Sequence, residues 1–521
     1  MNRPWWQSAV IYQIYPRSFR DSNADGIGDL VGIERGLDYL QSLGVDAIWI
    51  SPIFPSPMAD FGYDVSDYRG IDPIFGTLAD FDRLIAHAHG RGLKVLLDFV
   101  PNHTSDRHPW FTESRSSRGS AKRDWYIWRD PNPDGSPPNN WMSNFGGSAW
   151  QWDATTGQYY YHAFLAEQPD LNWRNPELRA AMYDVLRFWM RRGVDGFRVD
   201  VLWHLAKDDQ LRDNPPNPDW RPGDRDIDRY LQVYSTDRPE VFDIVKEMRG
   251  VIDEFPERVL IGEIYLPLER LVAYYGSDLS GVHMPFNFQL ISVPWKAADI
   301  DALIRRYEGL LPAGAWPNWV LGNHDQARIA TRVGEPQAKV AMMLLLTLRG
   351  TPTLYQGDEL GLEVVPIRTD EARDPWERNE PGHGRDPQRT PLPWTEGPGA
   401  GFTSGRPWLP IGTANAARSI ARQQESPASM LSVTRALLAL RRSRPSLNIG
   451  AYQPLPLRGD VLAFERRTPD DRVRVFLNLG STPAELDGES AAWDILLSTE
   501  CRAGEARMLL PNEGIIAVQP R

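Results

Sequence analysis

Three acidic residues stand out because each closely follows a short apolar segment of the chain. They are Asp200 in the sequence GFRVD, Glu263 in IGEIY and Asp325 in GNHDQ. If these segments are parallel strands of one barrel, the three carboxyl groups meet at the same end of it. Cleavage of a glycosidic bond uses a nucleophile, a proton donor and a group that stabilises developing charge. The three acids therefore predict chemistry on a sugar.

Two of these acids have surroundings that predict different protonation states. Arg198 and Asp200 are two residues apart on one strand, so their side chains point to the same side. A neighbouring guanidinium lowers the pKa of a carboxyl group, which favours an ionised Asp200. Glu263 follows the apolar run VLIG, where loss of hydration raises the pKa of a carboxyl group. We therefore expect Asp200 in the base form and Glu263 in the acid form.

Two histidines follow predicted strands, His103 in DFVPNH and His324 in GNHD. As neutral imidazoles they can donate hydrogen bonds to sugar hydroxyls, and a purely structural role is the alternative. Their closeness to Asp98 and Asp325 favours sugar binding. The sequence has no His/Cys spacing typical of zinc and no glycine-rich phosphate loop after a strand, so nucleotide and transition-metal chemistry lack support.

The loop DSNADGIGD has the spacing of a cation site. Its oxygen donors resemble positions 1, 3, 5, 7 and 9 of a calcium-binding loop. Gly32 stands where the usual acidic twelfth ligand would be, and the alternative is a turn in which one aspartate caps the next helix. We expect a structural calcium or magnesium ion, remote from the chemistry, and no organic cofactor. The candidate ligands are Asp21, Asn23, Asp25 and Asp29 through their side chains and Ile27 through its carbonyl.

Short β-branched segments alternate with amphipathic helices over most of the chain, a repetition typical of a parallel sheet. The helix PELRAAMYDVLRFWMRRG has the clearest signals, with Asn175 as N-cap, Pro176 at its first position and Gly193 just past its end. Eight predicted strands indicate a closed (β/α)8 barrel. They span residues 10–15, 47–50, 94–100, 196–200, 259–263, 282–285, 319–322 and 351–355.

Two irregular stretches and a change of pattern divide the chain. Residues 104–172, rich in Pro, Gly, Asn, Ser and Trp, are predicted to form an inserted domain after the third strand. The barrel then comprises 1–103 and 173–446, and the stretch 361–428 follows its eighth strand. Loops after barrel strands overhang the catalytic mouth, so both stretches are expected there. Short alternating segments in 447–521 predict a C-terminal antiparallel β-sandwich.

Composition excludes several classes of partner. The chain has 521 residues, of which 41% are hydrophobic and 24% charged, and its net charge is −12. Such a charge disfavours nucleic acid and anionic membranes and suits a neutral small sugar. A single cysteine, Cys501, excludes an intrachain disulfide, and no apolar run is long enough for a membrane span. We expect a cytoplasmic enzyme of unknown oligomeric state.

The motifs DFVPNH, GFRVD, GEIY and GNHDQ resemble the four conserved regions of the α-amylase superfamily, glycoside hydrolase family 13. The segment QPDLN at 168–172 is similar to an extra motif of its oligo-1,6-glucosidase and α-glucosidase branch. The resemblance implies a TIM barrel and a retaining mechanism. It makes Asp200 the nucleophile, Glu263 the acid/base and Asp325 the stabiliser of the transition state.

The same resemblance implies how a terminal glucose is held. Family members bind it with a carboxylate and an arginine, and Asp60 in ADFGYD and Arg389 in RDPQRTPLPW match those positions. Tyr63 is expected to stack beneath the sugar ring. Val201 follows the nucleophile, as in relatives that prefer α-1,6 bonds. The comparable family loop binds calcium or magnesium, in support of the cation site.

The sequence therefore predicts an exo-acting α-glucosidase that acts on short oligosaccharides or disaccharides. Preference for α-1,6 bonds of the isomaltose type and transglucosylation as a side activity are expected. One alternative is a sucrose isomerase or trehalose synthase of the same fold. A noncatalytic binding subunit is a more remote alternative, because such proteins typically lack the three acids.

Overall fold

The computed structural model describes residues 3–486 and 493–519. Its central sheet has eight parallel strands, and all eight predicted strands are confirmed, with ends that shift by one or two residues at most. Hydrogen-bonded neighbours follow the order seventh, eighth, first, second, third, fourth, fifth and sixth, so the sheet curls into a nearly closed barrel. The strands are Ile11–Ile14, Ala47–Ile50, Lys94–Phe99, Gly196–Val199, Val259–Gly262, Met284–Pro285, Asn318–Val320 and Thr351–Tyr355.

The register of the central strands places the acids at one level. Val199 pairs with Gly262 across the fourth and fifth strands, so Asp200 and Glu263 leave the sheet together. Asp98 of the third strand pairs with Arg198 of the fourth, one layer deeper. The strands are buried on both faces because helices cover the outside and side chains fill the inside.

Amphipathic helices surround the barrel. The predicted helix after the inserted segment is confirmed: the Asn175 side chain accepts hydrogen bonds from the backbone N–H groups of Glu177 and Leu178, and Gly193 has a φ of 102°. The larger outer helices are Leu30–Leu43, Leu78–Gly90, Pro176–Arg191, Glu240–Asp253, Ala297–Leu310, Glu335–Thr347 and Met430–Ser443. Shorter helices are Leu268–Leu271, Gln289–Ser292, Ile329–Val333 and Pro445–Ile449.

Three excursions from the barrel build its mouth. The segment 104–172 contains the helix Pro109–Ser116 and an antiparallel sheet of Trp128–Arg129, Trp150–Asp153 and Gln158–Tyr161. Bridges between His103 and Asp170 and between Tyr126 and Leu171 draw its two ends together. After the fourth strand, residues 201–239 form irregular structure with two short 3-10 helices, Leu202–His204 and Asp226–Arg229. After the eighth strand, the excursion contains Pro375–Asn379, Thr413–Ala416 and Ile420–Gln424.

The C-terminal region is antiparallel, as predicted. Two buried arginines attach it to the barrel: Arg466 donates to the backbone carbonyl group of Thr347, and Arg441 of the barrel donates to that of Leu447. These carbonyls belong to the helices Glu335–Thr347 and Pro445–Ile449, whose C-terminal ends favour cations. Six strands form the main sheet, Ala451–Pro454, Val461–Arg467, Arg472–Asn478, Gly514–Val518, Trp493–Ser498 and Glu505–Ala506, and Ala484–Glu485 pairs with Met508–Leu509.

Candidate active site

The three predicted acids surround one cavity at the carboxyl end of the barrel strands. The cavity has a volume of about 370 Å³, and Asp200, Glu263 and Asp325 all line it. Asp200 directly follows the fourth strand, Glu263 directly follows the fifth, and Asp325 lies on the loop after the seventh. A cavity of this size suits a small ligand rather than a polymer surface.

Arg198 lies beneath the acids and joins three carboxylates. Its Nη1 is 2.8 Å from Asp98 Oδ1 and 2.7 Å from Asp200 Oδ1, and its Nη2 is 2.6 Å from Glu263 Oε1. The arginine is fully buried, so it holds the acids from behind and does not line the cavity. The sequence predicted Arg198 beside Asp200, and the structure places it there, behind the wall of the cavity where a substrate would bind.

The pKa of Asp200 reflects two opposed effects, burial and the charge of Arg198. Burial raises the pKa of Asp200 well above its ordinary value, and Arg198 offsets this only in part because it also serves Asp98 and Glu263. Burial likewise raises the pKa of Glu263, again against the effect of Arg198. The carboxyl groups of Asp200 and Glu263 are close to each other and both bond Arg198, so the loss of a proton from one disfavours its loss from the other.

Asp325 has the opposite electrostatic environment. Burial by itself would raise the pKa of Asp325, but the guanidinium groups of Arg385 and Arg389 hold the pKa well below its usual range. Arg389 Nη2 is 2.7 Å and Arg385 Nη1 is 3.3 Å from Asp325 Oδ1. Asp325 therefore remains ionised beside Asp200 and Glu263 and can stabilise positive charge on a sugar.

The arginine that partners Asp60 is not the one predicted. Arg385 Nη2 is 2.6 Å from Asp60 Oδ1, and both residues line the cavity. Arg389 is fully buried and donates to the carbonyl group of His324 and to Asp325 from behind. The prediction for Arg389 is therefore corrected to Arg385. Both arginines occur in RDPQR, and their spacing alone does not tell which one reaches the cavity.

Tyr63, His103 and His324 complete the same wall. Tyr63 OH is 2.8 Å from His324 Nε2, and the two rings are parallel within 3°. His103 Nε2 is 3.1 Å from the Tyr63 carbonyl oxygen. Burial lowers the pKa of His103 to about 4 and that of His324 well below its ordinary value, so both are neutral. Neutral imidazoles fit the predicted hydrogen bonding to sugar hydroxyls.

Val201 links the two central acids through its backbone. Its φ is 37°, a left-handed conformation that is unfavourable for a β-branched residue. In this conformation the Val201 N–H donates to Glu263 Oε2 at 2.8 Å, and the side chain lines the cavity. The strain thus accompanies a bond that orients Glu263.

Sequence reasoning missed most of the outer cavity. It placed the stretches 104–172 and 361–428 over the mouth but not residues 201–239. Irregular segments also lack the periodicity that would show which side chains face the cavity. The cavity residues it did not identify include Asn144, Phe145 and Phe164 of the inserted segment, Trp203, His204, Arg225, Gln232 and Thr236 after the fourth strand, Tyr265 and Leu266 after the fifth, and Trp376 and Arg385 after the eighth.

The predicted cation loop lies against residues 402–408 and does not line the cavity. Asp21 Oδ1 accepts from the N–H groups of Asn23 and Ala24, and Asp21 Oδ2 accepts from Gly26 N–H. Asp29 Oδ1 accepts from Gly32 N–H, which is the helix cap that the sequence allowed as an alternative.

The donors of this loop are of the type that a hard cation prefers, although several of them also accept hydrogen bonds within the loop. Asp21, Asn23, Asp25 and the Ile27 carbonyl are oxygen donors, which calcium and magnesium prefer. The Asn23 and Asp25 oxygens accept backbone N–H groups two residues on, and an oxygen with a second lone pair can still bind a cation. Within residues 3–486 and 493–519, no group of three or more His, Cys, Asp or Glu side chains is arranged to hold a metal ion.

A barrel that gathers three carboxylates around one small cavity is the arrangement that glycoside hydrolysis requires. The family model described as alpha amylase, catalytic domain, matches residues 13–450. The chain belongs to this family, glycoside hydrolase family 13. Membership of this family, with all three acids in place, leaves the noncatalytic alternative without support.

Relatives with similar sequences are α-glucosidases by name. A probable alpha-glucosidase of Rhizobium meliloti (strain 1021) is 45% identical over 504 residues, which cover 93% of this chain and 91% of the relative. An oligo-1,6-glucosidase of Heyndrickxia coagulans is 37% identical over 555 residues, with 98% and 99% coverage.

Solved structures with the same architecture have related but different activities. The alpha-glucosyl transfer enzyme XgtA is 44% identical and superimposes with a TM-score of 0.94 over the whole of both chains. A trehalulose synthase, MutB, is 36% identical with a TM-score of 0.90 and covers 99% of this chain and 100% of its own. In the part of the chain that the structure describes, no helix is both long and apolar enough to cross a membrane.

Proposed function

We propose that the chain is a retaining, exo-acting α-glucosidase that removes glucose from the non-reducing end of short α-glucosides. The observation that carries this proposal is the buried polar end of the cavity. There Asp60 and Arg385 form an ion pair of 2.6 Å, and His103 and His324 line the same cavity. Such a wall can bind the hydroxyls of one terminal sugar and stop a longer chain from passing.

The three acids divide the reaction between them. Asp200 attacks the anomeric carbon while Glu263 donates a proton to the leaving oxygen, and the product is a covalent glucosyl ester on Asp200. Glu263 then removes a proton from water, whose oxygen attacks the anomeric carbon and releases Asp200. Within the described residues, Asp200 Oδ2 accepts no hydrogen bond from the protein, which leaves it free for attack.

The second step also supports transglucosylation. Any hydroxyl group that enters before water can take the glucosyl unit from Asp200, so sugar acceptors compete with hydrolysis. The similarity to a glucosyl transfer enzyme favours such a side activity here.

The preference for α-1,6 bonds rests on Val201. Its apolar side chain lines the cavity beside Asp200, where it contacts the sugar that leaves. A methyl-sized contact discriminates by about 1–3 kcal/mol between substrates. Val201 is therefore expected to change the ratio of kcat/KM values for α-1,6 and α-1,4 bonds rather than to exclude either bond.

The first prediction tests this proposal with initial rates on isomaltose, maltose, trehalose, sucrose and nitrophenyl α-glucoside. We expect kcat/KM to be higher for isomaltose than for maltose, with α-glucose as the first product by NMR. Val201→Thr should shift the isomaltose-to-maltose ratio toward maltose by about tenfold. A first product of β configuration, or no glucose release from any substrate, would refute the proposal, and an unchanged ratio would refute the role of Val201.

Isomerisation is the second candidate function, because a trehalulose synthase has the same architecture. In that reaction the released sugar attacks the glucosyl ester before water arrives. Chromatography of the products from sucrose separates the two candidates: an isomer with little free glucose supports isomerisation, whereas glucose and fructose in equal amounts support hydrolysis.

The second prediction concerns the cation loop, for which we propose a structural calcium or magnesium ion held by Asp21, Asn23, Asp25, Ile27 and Asp29. Addition of millimolar calcium to protein treated with a chelator should raise the midpoint of thermal unfolding by a few degrees, because an ion that binds only the folded state stabilises it. Asp25→Asn should reduce the shift, and Asp38→Asn, an exposed acid outside the loop, should not. Equal midpoints with and without the ion would contradict the site.

A cytoplasmic location stays a prediction.

A further inference from the structure

Arg225 is a cation on the cavity wall whose charge the protein leaves unpaired. It lines the cavity together with Asn144 and Trp376. Arg198 and Arg385, which serve the reacting acids, each pair with three carboxylates. Within residues 3–486 and 493–519, no Asp or Glu oxygen lies within 4.0 Å of a guanidinium nitrogen of Arg225. The missing counter-ion distinguishes it from the other arginines of the site.

The guanidinium of Arg225 is held in one orientation. It stacks on the Trp376 ring with 4.6 Å between the guanidinium carbon and the ring centroid, and its Nη2 donates to the Asn144 carbonyl oxygen at 3.0 Å. Trp376 is itself fixed, since its Nε1 donates to Glu380 Oε2 at 2.9 Å. Arg225 Nε is sealed from solvent without an acceptor. Within the described residues, the two N–H groups of Nη1 and the second N–H group of Nη2 have no acceptor, and these are the donors left for a ligand.

The acids nearest to Arg225 do not neutralise it directly. Burial lowers the pKa of Arg225, and Asp228 and Glu380 oppose this from beyond ion-pairing distance. Both carboxylate oxygens of Glu380 already accept other donors, the Trp376 ring nitrogen and the Asp226 N–H. A half-buried cation without a close counter-ion is unfavourable, and a ligand anion would relieve that cost.

The position of Arg225 indicates which part of a substrate it contacts. Asp60 and Arg385 at the glucose end are 4% and 6% exposed, whereas Arg225 is half-buried and belongs to the excursion over the mouth. It therefore faces the group to which glucose is linked. We propose that Arg225 binds an anionic substituent, a carboxylate or a phosphate, on that group, so that acidic α-glucosides are preferred over neutral ones of the same shape. This inference rests on the proposed α-glucosidase function.

The third prediction uses two matched pairs of substrates. Isomaltobionate carries a carboxylate where isomaltitol has a hydroxymethyl group. Trehalose 6-phosphate carries a phosphate group that trehalose lacks. At low ionic strength we expect kcat/KM to be about tenfold higher for the acidic member of at least one pair. A difference of this size corresponds to one charge-assisted hydrogen bond between Arg225 and the anion. The preference should fall as salt is added, because the mouth is partly exposed to solvent. The pair of substrates that shows the preference identifies the anion as a carboxylate or a phosphate.

Variants decide whether Arg225 causes the preference. Arg225→Gln should lower kcat/KM for the preferred acidic substrate about tenfold more than for its neutral partner, and Arg225→Lys should retain part of the difference. Arg229→Gln, four residues on and stacked on Trp220, is the control and should change neither. The inference is overturned if the wild type shows no preference in either pair, or if Arg225→Gln lowers both members equally. If isomaltitol, isomaltobionate and nitrophenyl α-glucoside all resist the wild type, the α-glucosidase proposal fails and this inference with it.

Discussion

Asp200→Asn is expected to abolish turnover while the protein stays folded. An amide cannot form the glucosyl ester, so kcat should fall by at least about 10⁴-fold, the scale seen when a catalytic nucleophile is removed. The amide oxygen can still accept from Arg198 Nη1, which is 2.7 Å from Asp200 Oδ1. Parallel measurements of kcat on nitrophenyl α-glucoside and of thermal unfolding check this fourth prediction.

The sign of the stability change follows from the raised pKa of Asp200. Because burial disfavours ionised Asp200 in the folded state, ionisation costs folding free energy at any pH above its unfolded pKa. The neutral amide removes that cost, so the midpoint of unfolding should not fall at neutral pH. A lower midpoint would show that the carboxylate is needed for folding, and retained turnover would exclude it as the nucleophile.

Asp195→Asn is the matched control. Asp195 precedes the same strand at its opposite end, where Asp195 Oδ2 accepts from Val95 N–H at 2.9 Å and lies 2.7 Å from His89 Nε2. It is remote from the cavity, so kcat should be unchanged even if stability falls.

A fluorinated α-glucosyl fluoride that traps the ester should add mass to the peptide with Asp200, and only there.

The barrel and its inner acids could be predicted from sequence because both depend on local signals. Buried parallel strands are continuous apolar runs, and the residues after their ends must share one face. Asp200 and Glu263 follow such runs directly, and the register of Val199 with Gly262 places them side by side. The same reasoning located His103 and His324.

The details that could not be predicted depend on quantities that a sequence does not contain. Arg385 and Arg389 occur in one motif, and only the path of the backbone decides that Arg385 reaches Asp60 while Arg389 lies behind Asp325. The pKa of Asp200 depends on burial and on how many acids share Arg198. Arg225 of the excursion after the fourth strand contacts Trp376 of the excursion after the eighth. Neither segment has a sequence periodicity from which such a contact could be predicted.

Glu263→Gln, the fifth prediction, should make the rate depend strongly on the leaving group. A sugar leaves poorly without a proton, so kcat/KM for isomaltose should fall about 10²–10⁴-fold. Fluoride leaves without protonation, so formation of the ester from α-glucosyl fluoride should change little. The ester then accumulates because the amide of the variant cannot deprotonate water. Azide, which needs no base, should restore turnover and yield α-glucosyl azide.

The pH dependence of activity tells whether Glu263→Gln removes a proton donor or disturbs the geometry of the site. Burial raises the pKa of Glu263, and the first step needs the protonated form, so wild-type activity falls as pH rises through that pKa. In Glu263→Gln this fall on the alkaline side should disappear, since the amide carries no titrating proton. The amide oxygen can still accept from Val201 N–H, 2.8 Å from Glu263 Oε2, so the strained backbone turn is retained. An alkaline limb that persists unchanged, together with an equal loss for isomaltose and the fluoride, would mean that Glu263 acts through the shape of the site and that the proton comes from another group.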